Sequence, residues 1–274
     1  MIGFIFAAGL GTRLKPLTDT MPKALVPLAG KPLLQWQVER LRDAGITDII
    51  VNVHHFPDMI IDTVRRNKGW GCNILISDER DQLLDTGGGL KKAKSQIINH
   101  HTAQADRKKS QMASEPILAC NVDILSNIDL RAFIDNYQSP ISNLQSPMSL
   151  LVVSQRETQR YLCFDEQDRL CGWTNIKTGE VRPANFKCQM SNVKLLAFSG
   201  MQILSPDILS LLSQMPQDKF SLIDFYMAIC ERNLSPFTSH LSPLLKAYIP
   251  ASFRMMDVGK IDQIEQAEVF AQNL

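Results

Sequence analysis

The sequence predicts an α/β fold built on a mostly parallel sheet flanked by helices. Three observations predict it: short apolar runs alternate with helix-period segments through the first half, Gly and Pro punctuate the joints, and the chain has the size and apolar content to bury a sizeable core, with 274 residues of which 45% are hydrophobic. Residues 2–6 form an apolar strand leading into a glycine-containing turn. Prolines at 16, 22, 27 and 32 keep the stretch that follows out of regular helix, because each removes a donor and pushes its predecessor toward extended backbone. Residues 32–44 carry Leu34, Val38 and Leu41 at helical spacing, start on proline and stop at Gly45. Residues 48–53 then read as a strand, 57–67 as a helix with Ile60, Ile61 and Val64 inward, and 73–77 as a third strand. After Asp85-Thr86-Gly87-Gly88-Gly89 comes a basic helical stretch with Lys91, Lys92 and Lys94. Residues 99–115, with His100-His101, read as a solvated insertion, and 116–120 as a buried strand. In the second half, 148–153, 161–165 and 194–204 read as strands, 221–231 and 261–270 as helices, and 139–147 and 174–191 as loops. A single domain over 1–274 is expected, with a first half over 1–137 and a second over 138–274.

Composition narrows the function classes. A net charge of +1 disfavours a nucleic-acid partner, which calls for a basic stripe. Six cysteines (72, 120, 163, 171, 188 and 230) are scattered without a Cys-x-x-Cys pair and read as reduced, packed thiols. There is no apolar span of membrane length and no basic, signal-like start, so the expectation is a cytoplasmic protein with no membrane partner.

The chemistry concentrates in Ala7-Ala8-Gly9-Leu10-Gly11-Thr12-Arg13. A glycine turn leaving a buried strand offers backbone N–H groups to an anion, and Arg13 and Lys23 add cations, which points to phosphate. A dinucleotide-binding Gly-x-Gly-x-x-Gly would need glycine where Leu14 stands. A Walker-type loop would need Gly-Lys-Ser/Thr, but Gly30-Lys31 and Gly259-Lys260 are followed by proline and isoleucine. The proline-rich stretch with Lys23 and Lys31 has the character of a long ordered loop closing over a triphosphate. Two acidic positions suggest a metal: Asp123, just past an apolar strand at the edge where open α/β sheets bind ligands, and Asp257 in Met255-Met256-Asp257-Val258-Gly259. Asp78, at the end of the third strand, can accept a hydrogen bond from a base N–H; uracil and guanine both offer one.

The run Gly9-x-Gly11-Thr12-Arg13-x-x-Pro16-Leu17-Thr18, then Pro22-Lys23, Pro27 and Gly30-Lys31-Pro32, resembles the signature of the sugar-phosphate nucleotidyltransferases. The form Asp85-Thr86-Gly87-Gly88-Gly89 resembles the branch that includes N-acetylmuramate-1-phosphate uridylyltransferases and bacterial mannose-1-phosphate guanylyltransferases. The resemblance implies a Rossmann-like sheet of the nucleotidyltransferase (GT-A-like) type, a nucleotide-binding first half and a sugar-phosphate-binding second half. It implies an NDP-sugar and pyrophosphate made from a nucleoside triphosphate, with UTP or GTP favoured, and a sugar 1-phosphate. Arg13 would hold the departing pyrophosphate, Lys23 would sit between the α-phosphate and the incoming phosphate, and Asp123 and Asp257 would hold Mg²⁺. Nucleotide contacts would come from Ala8, Gly9, Gly11, Thr12, Asp78, Thr86 and Gly87, and sugar-phosphate contacts from Gly200 and Lys177. The chain departs from the family pattern by Asn121-Val122-Asp123 in place of Gly-Asp and by Met255 where tryptophan is common. A nucleotide-sugar-dependent glycosyltransferase and a non-catalytic sugar-nucleotide-binding regulator remain as alternatives; only the transferase releases pyrophosphate from a triphosphate and a sugar phosphate.

Overall fold

The computed structural model describes residues 1–105, 115–139, 147–184, 186, 192–233 and 245–274. The chain opens with β1 (Ile2–Phe6), makes three single 3-10 turns, and passes through the short ladder of β2 (Pro27–Leu28) and β3 (Lys31–Pro32). It then runs through α1 (Leu33–Asp43), β4 (Asp48–Val53), α2 (Pro57–Arg66), β5 (Asn73–Asp78), α3 (Asp85–Ala105), β6 (Ile117–Asn121), β7 (Ile124–Ser126) and α4 (Leu130–Gln138). The second half contributes β8 (Ser149–Ser154), β9 (Arg160–Phe164), β10 (Leu170–Asn175), β11 (Glu180–Arg182), β12 (Lys194–Leu204), α5 (Ile208–Leu212), α6 (Leu222–Asn233), β13 (Leu245–Tyr248), β14 (Met255–Asp257) and α7 (Ile264–Gln272).

The central sheet is mixed. β6, β1, β4 and β5 lie side by side and parallel, as the strand–helix alternation requires. β12 then joins β6 antiparallel, and β9, β10 and β11 extend the sheet beyond it. β12 serves several neighbours because its pairing with β8 shifts register between Phe198 and Gln202, where Gly200 sits at φ +68°. Apolar side chains cover both faces: Leu34, Val38, Ile60, Phe133 and Ala267 on one, Leu90, Ala93, Ile97, Ile208 and Phe225 on the other.

Local chemistry sets the boundaries. α1 ends where Gly45, at φ +89°, donates to Arg42 O and Ile46 donates to Leu41 O, the paired closure a left-handed glycine permits. α4 starts on Asp129, whose carboxylate accepts from the Arg131 and Ala132 amides.

Three sequence expectations change. Residues 99–105 continue α3 instead of looping out, because the buried Leu90, Ala93 and Ile97 stripe carries the polar turns after it; 106–114 lie outside the described residues. Within 174–191, residues 174–175 finish β10 and 180–182 form β11 across a turn at 176–179, with the Arg182 guanidinium 4.5 Å from the Trp173 ring. That hairpin escapes a pattern search because β11 has only three residues, all of them exposed or half-buried. β13, α4 and α5 were not anticipated. The loop expected at 139–147 falls almost entirely outside the described residues, as does Cys188, while Cys120, Cys163 and Cys230 are buried as packed thiols would be. Among the described residues no helix is long and apolar enough to cross a membrane.

Candidate active site

The carboxyl ends of β1 and β6 carry the site. After β1, Ala8 is buried, while among the described residues nothing beyond its chain neighbours comes within 4 Å of where a Cβ on Gly9 would stand, so this stretch of backbone is open. Gly11 adopts φ +65°, and a Cβ there would meet Thr18 Cγ2 at 2.8 Å and Lys23 Cβ at 3.0 Å. Only glycine lets the turn lie directly on Lys23 in this conformation. Thr18 fixes the same approach by donating its hydroxyl to Gly11 O at 2.8 Å. Thr12 and Arg13 follow, exposed, on the 3-10 turn.

Lys23 is buried, and its ammonium is paired with Asp123. Asp123 lies in the tight turn between β6 and β7, which α1 braces: Gln37 Nε2 donates to Ile124 O at 2.7 Å and Arg40 donates to Ser126 Oγ at 2.8 Å. Burial pulls the Arg40 guanidinium down to about 10. β14 pairs with β7 so that Asp257 stands opposite Ile124, and Val258 N donates to Asp123 O at 2.8 Å. The late aspartate thereby arrives beside the early one. Partial burial and the charge of Asp123 push the Asp257 carboxyl above the usual carboxylate range, against the pull of Lys23, Arg13 and Arg156. Arg13 reaches Asp257 at 3.9 Å. Gly259 makes room for that approach, since a Cβ there would lie 2.6 Å from Asp257 Oδ1 and 2.8 Å from Arg13 Nη2. Gly200 also belongs here: its Cβ would meet Ile124 Cγ1 at 2.9 Å and Asn121 Nδ2 at 3.0 Å.

The glycines of the Asp85-Thr86-Gly87-Gly88-Gly89 segment pack against protein. The segment is the first turn of α3, and the close approach it permits is made by protein. Gly87 and Gly88 N–H both donate to Phe220 O, and a Cβ on Gly88 would lie 2.1 Å from Asp218 O. Gly87 is therefore a packing glycine with its amide already engaged, and the Thr86 hydroxyl accepts from Leu222 N at 2.9 Å at the start of α6. Asp78 stands at the end of β5 as expected, but its carboxylate accepts from the Arg80 backbone and guanidinium. Partial burial raises its pKa, and those two bonds outweigh the effect and hold it below its ordinary value. Lys31 pairs with Glu39 at 2.6 Å and lies over the Trp36 ring. Lys177 is exposed on the turn between β10 and β11, and no described contact joins it to the Lys23–Asp123 group.

Two residues escaped the sequence reading. Asn52, buried in β4, accepts from Ala7 N and donates to Glu79, which is wholly buried just past β5. The available signal was a polar residue inside an otherwise apolar strand.

The arrangement gathers an open glycine turn, two cations and two carboxylates at one sheet edge, a layout suited to phosphate and a hard cation. Comparison with known proteins identifies the family. Over 94 residues the chain is 49% identical to the N-acetylmuramate alpha-1-phosphate uridylyltransferase of Caulobacter vibrioides, covering 34% of this chain and 39% of that protein. Over 140 residues it is 33% identical to the mannose-1-phosphate guanyltransferase of Saccharomyces cerevisiae, covering 51% and 35%. The chain spans about half or less of the length of the curated relatives it matches. The crystal structure of HddC from Yersinia pseudotuberculosis complexed with GMP-PN superposes with a TM-score of 0.68 at 22% identity, covering 99% of this chain and 100% of that one, which establishes a shared fold. The family model for nucleotidyl transferases matches residues 2–273, and the chain belongs to that family.

Proposed function

We propose that the protein transfers a nucleotidyl group from a nucleoside triphosphate to a sugar 1-phosphate, giving an NDP-sugar and pyrophosphate. The observation that carries this reading is the convergence of Arg13, Lys23, Asp123 and Asp257 at the mouth of the Gly9–Gly11 turn. No Ser, Cys or His nucleophile is needed, because a sugar phosphate is already largely ionised near neutral pH, its second pKa being about 6. Its oxygen forms the new bond to the α-phosphorus as the bond to the β-phosphate oxygen breaks in line. The chain's task is positioning and charge neutralisation. Lys23 lies between the two approaching phosphates, which requires its ammonium to move off Asp123. Arg13, exposed on its turn, neutralises the departing pyrophosphate. Ala8, Gly9, Gly11 and Thr12 hold the turn against the triphosphate.

Asp123 and Asp257 fit a divalent cation such as Mg²⁺. They are oxygen donors brought close enough to repel one another, and the remaining coordination positions suit substrate oxygens and water. When bound, the ion supplies charge neutralisation on the transferring phosphoryl group. The relatives' names favour UTP or GTP and an N-acetylated or mannose-type sugar 1-phosphate, with residues 1–137 serving the nucleotide and 138–274 the sugar phosphate, in the cytosol. Mixing the protein with each common triphosphate, a panel of sugar 1-phosphates and Mg²⁺ tests the proposal by pyrophosphate release. Product from UTP or GTP is expected, and product only from ATP or CTP with unrelated phosphates would overturn the nucleotide assignment.

A further inference from the structure

We propose that Asn52 and Glu79 form a buried strut that fixes the glycine turn against the loop before α3, and that they are positioning residues for the triphosphate. The ligand assignment rests on the function proposed above, while the strut itself does not. Ala7, the last residue before the turn, donates its N–H to Asn52 Oδ1 at 2.8 Å. Asn52 Nδ2 donates to Glu79 Oε1 at 2.8 Å, and the other oxygen, Glu79 Oε2, accepts from Leu84 N at 3.2 Å, one residue before α3. One amide and one carboxylate thus span from the start of 8–13 to the start of α3.

The rest of Glu79 is pinned as well. Its N–H donates to Val53 O at 2.7 Å, and its carbonyl accepts from Gln82 N at 3.0 Å and from His54 Nδ1 at 2.8 Å. α3 closes the other side: a Cβ on Gly89 would lie 2.8 Å from both Asn52 Nδ2 and Glu79 Oε1. Glu79 is 0% exposed, so it does not touch a ligand and acts only through what it holds. A buried carboxylate with no ion pair among the described residues is costly, and its retention here needs the bonds it accepts. Those bonds join the two segments whose separation sets the space at the end of β1.

Two variants test the strut. Glu79→Gln keeps size but turns one acceptor into a donor facing a donor, so one of the two bonds is lost. Gly89→Ala favours the helix on its own and drives a methyl into the same pair. Amide hydrogen exchange on the ligand-free protein should show faster exchange in both 7–13 and 84–90, with β4 and β6 unchanged. Equilibrium binding should show Kd for UTP and GTP raised by about tenfold and by the same factor, with KM for the sugar phosphate and kcat nearly unchanged. Unchanged exchange in 7–13 would overturn the strut, and lowered melting temperature with unaltered nucleotide Kd would overturn its positioning role. Weakened binding of one nucleotide only would overturn positioning of the triphosphate, which both nucleotides share. The exchange measurement needs no substrate, so a wild type that released no pyrophosphate would defeat the proposed activity and leave the strut standing.

Discussion

Lys23 is legible in sequence as a cation beside a glycine turn, but its burial and its pairing with Asp123 are tertiary facts. Removing it should leave the fold intact, because Asp123 keeps access to water. Lys23→Ala is expected to lower kcat by on the order of 10²–10³, the usual loss for one well-placed electrostatic group. Retained activity in a purified variant with an unchanged circular dichroism spectrum would take Lys23 out of the mechanism. Glu79 makes a different prediction at the same scale. Burial raises its pKa above 4.5, outweighing the bonds from Asn52 and Leu84 and the attraction of Lys92 and His54. A raised carboxylate binds more protons folded than unfolded, so its contribution to stability falls as pH rises from 4.5 through the folded value. Asp78 and Glu39 are shifted downward and act in the opposite sense below their ordinary values of 3.8 and 4.5. The stability of wild type relative to Glu79→Gln, measured by denaturant titration at several pH values, should therefore decline as pH rises from 4.5, and a flat difference would contradict the burial argument.

At the scale of elements, the pairing of β7 with β14 is what makes one site from two distant aspartates. Asp123→Asn and Asp257→Asn should each remove most turnover, with the double variant scarcely worse than either, because loss of the second ligand of an ion already lost costs little more. Independent, multiplicative losses would mean that the two carboxylates do not share an ion. The same ladder explains Gly200. Placing alanine at φ +68°, against Ile124 and Asn121, should destabilise the protein by about 1–2 kcal/mol through backbone strain alone, read as a shift in the unfolding midpoint. Gly88 is the counterpart in α3, letting the segment around Asp218 and Phe220 lie in contact with the helix.

Across the whole molecule, a parallel half meets a mixed half at the antiparallel β6–β12 seam, and the candidate site lies along that seam. A ligand bridging the halves should stabilise them together. Triphosphate with Mg²⁺ at about 100 times Kd contributes about 2.7 kcal/mol, which in a chain of this size raises Tm by on the order of 5–10 °C. Chelating the metal should remove most of that shift. A thermal scan showing no response to any triphosphate would count against nucleotide binding as a whole.

The sequence by itself determined the α/β class, the strands at 2–6, 48–53, 73–77 and 116–120, the helix stopped by Gly45, and the membership implied by Gly9-Leu10-Gly11-Thr12-Arg13 and Pro22-Lys23. These are local: they rest on periodicity, on proline and glycine backbone limits, and on a motif contiguous in the chain. It could not place the β10–β11 hairpin, whose short edge strand carries no long alternating pattern, or the strand β13, which is set by its ladder on β8. Nor could it tell an open glycine from a packed one. Gly9 and Gly87 read alike in sequence, yet among the described residues one faces open space and the other lies under Phe220. The Asn52–Glu79 pair was out of reach for the same reason, because its residues lie 27 apart and only the parallel register of β4 and β5 brings them together. Tertiary structure decided these points because what each residue contacts is fixed by non-local packing, which no local pattern encodes.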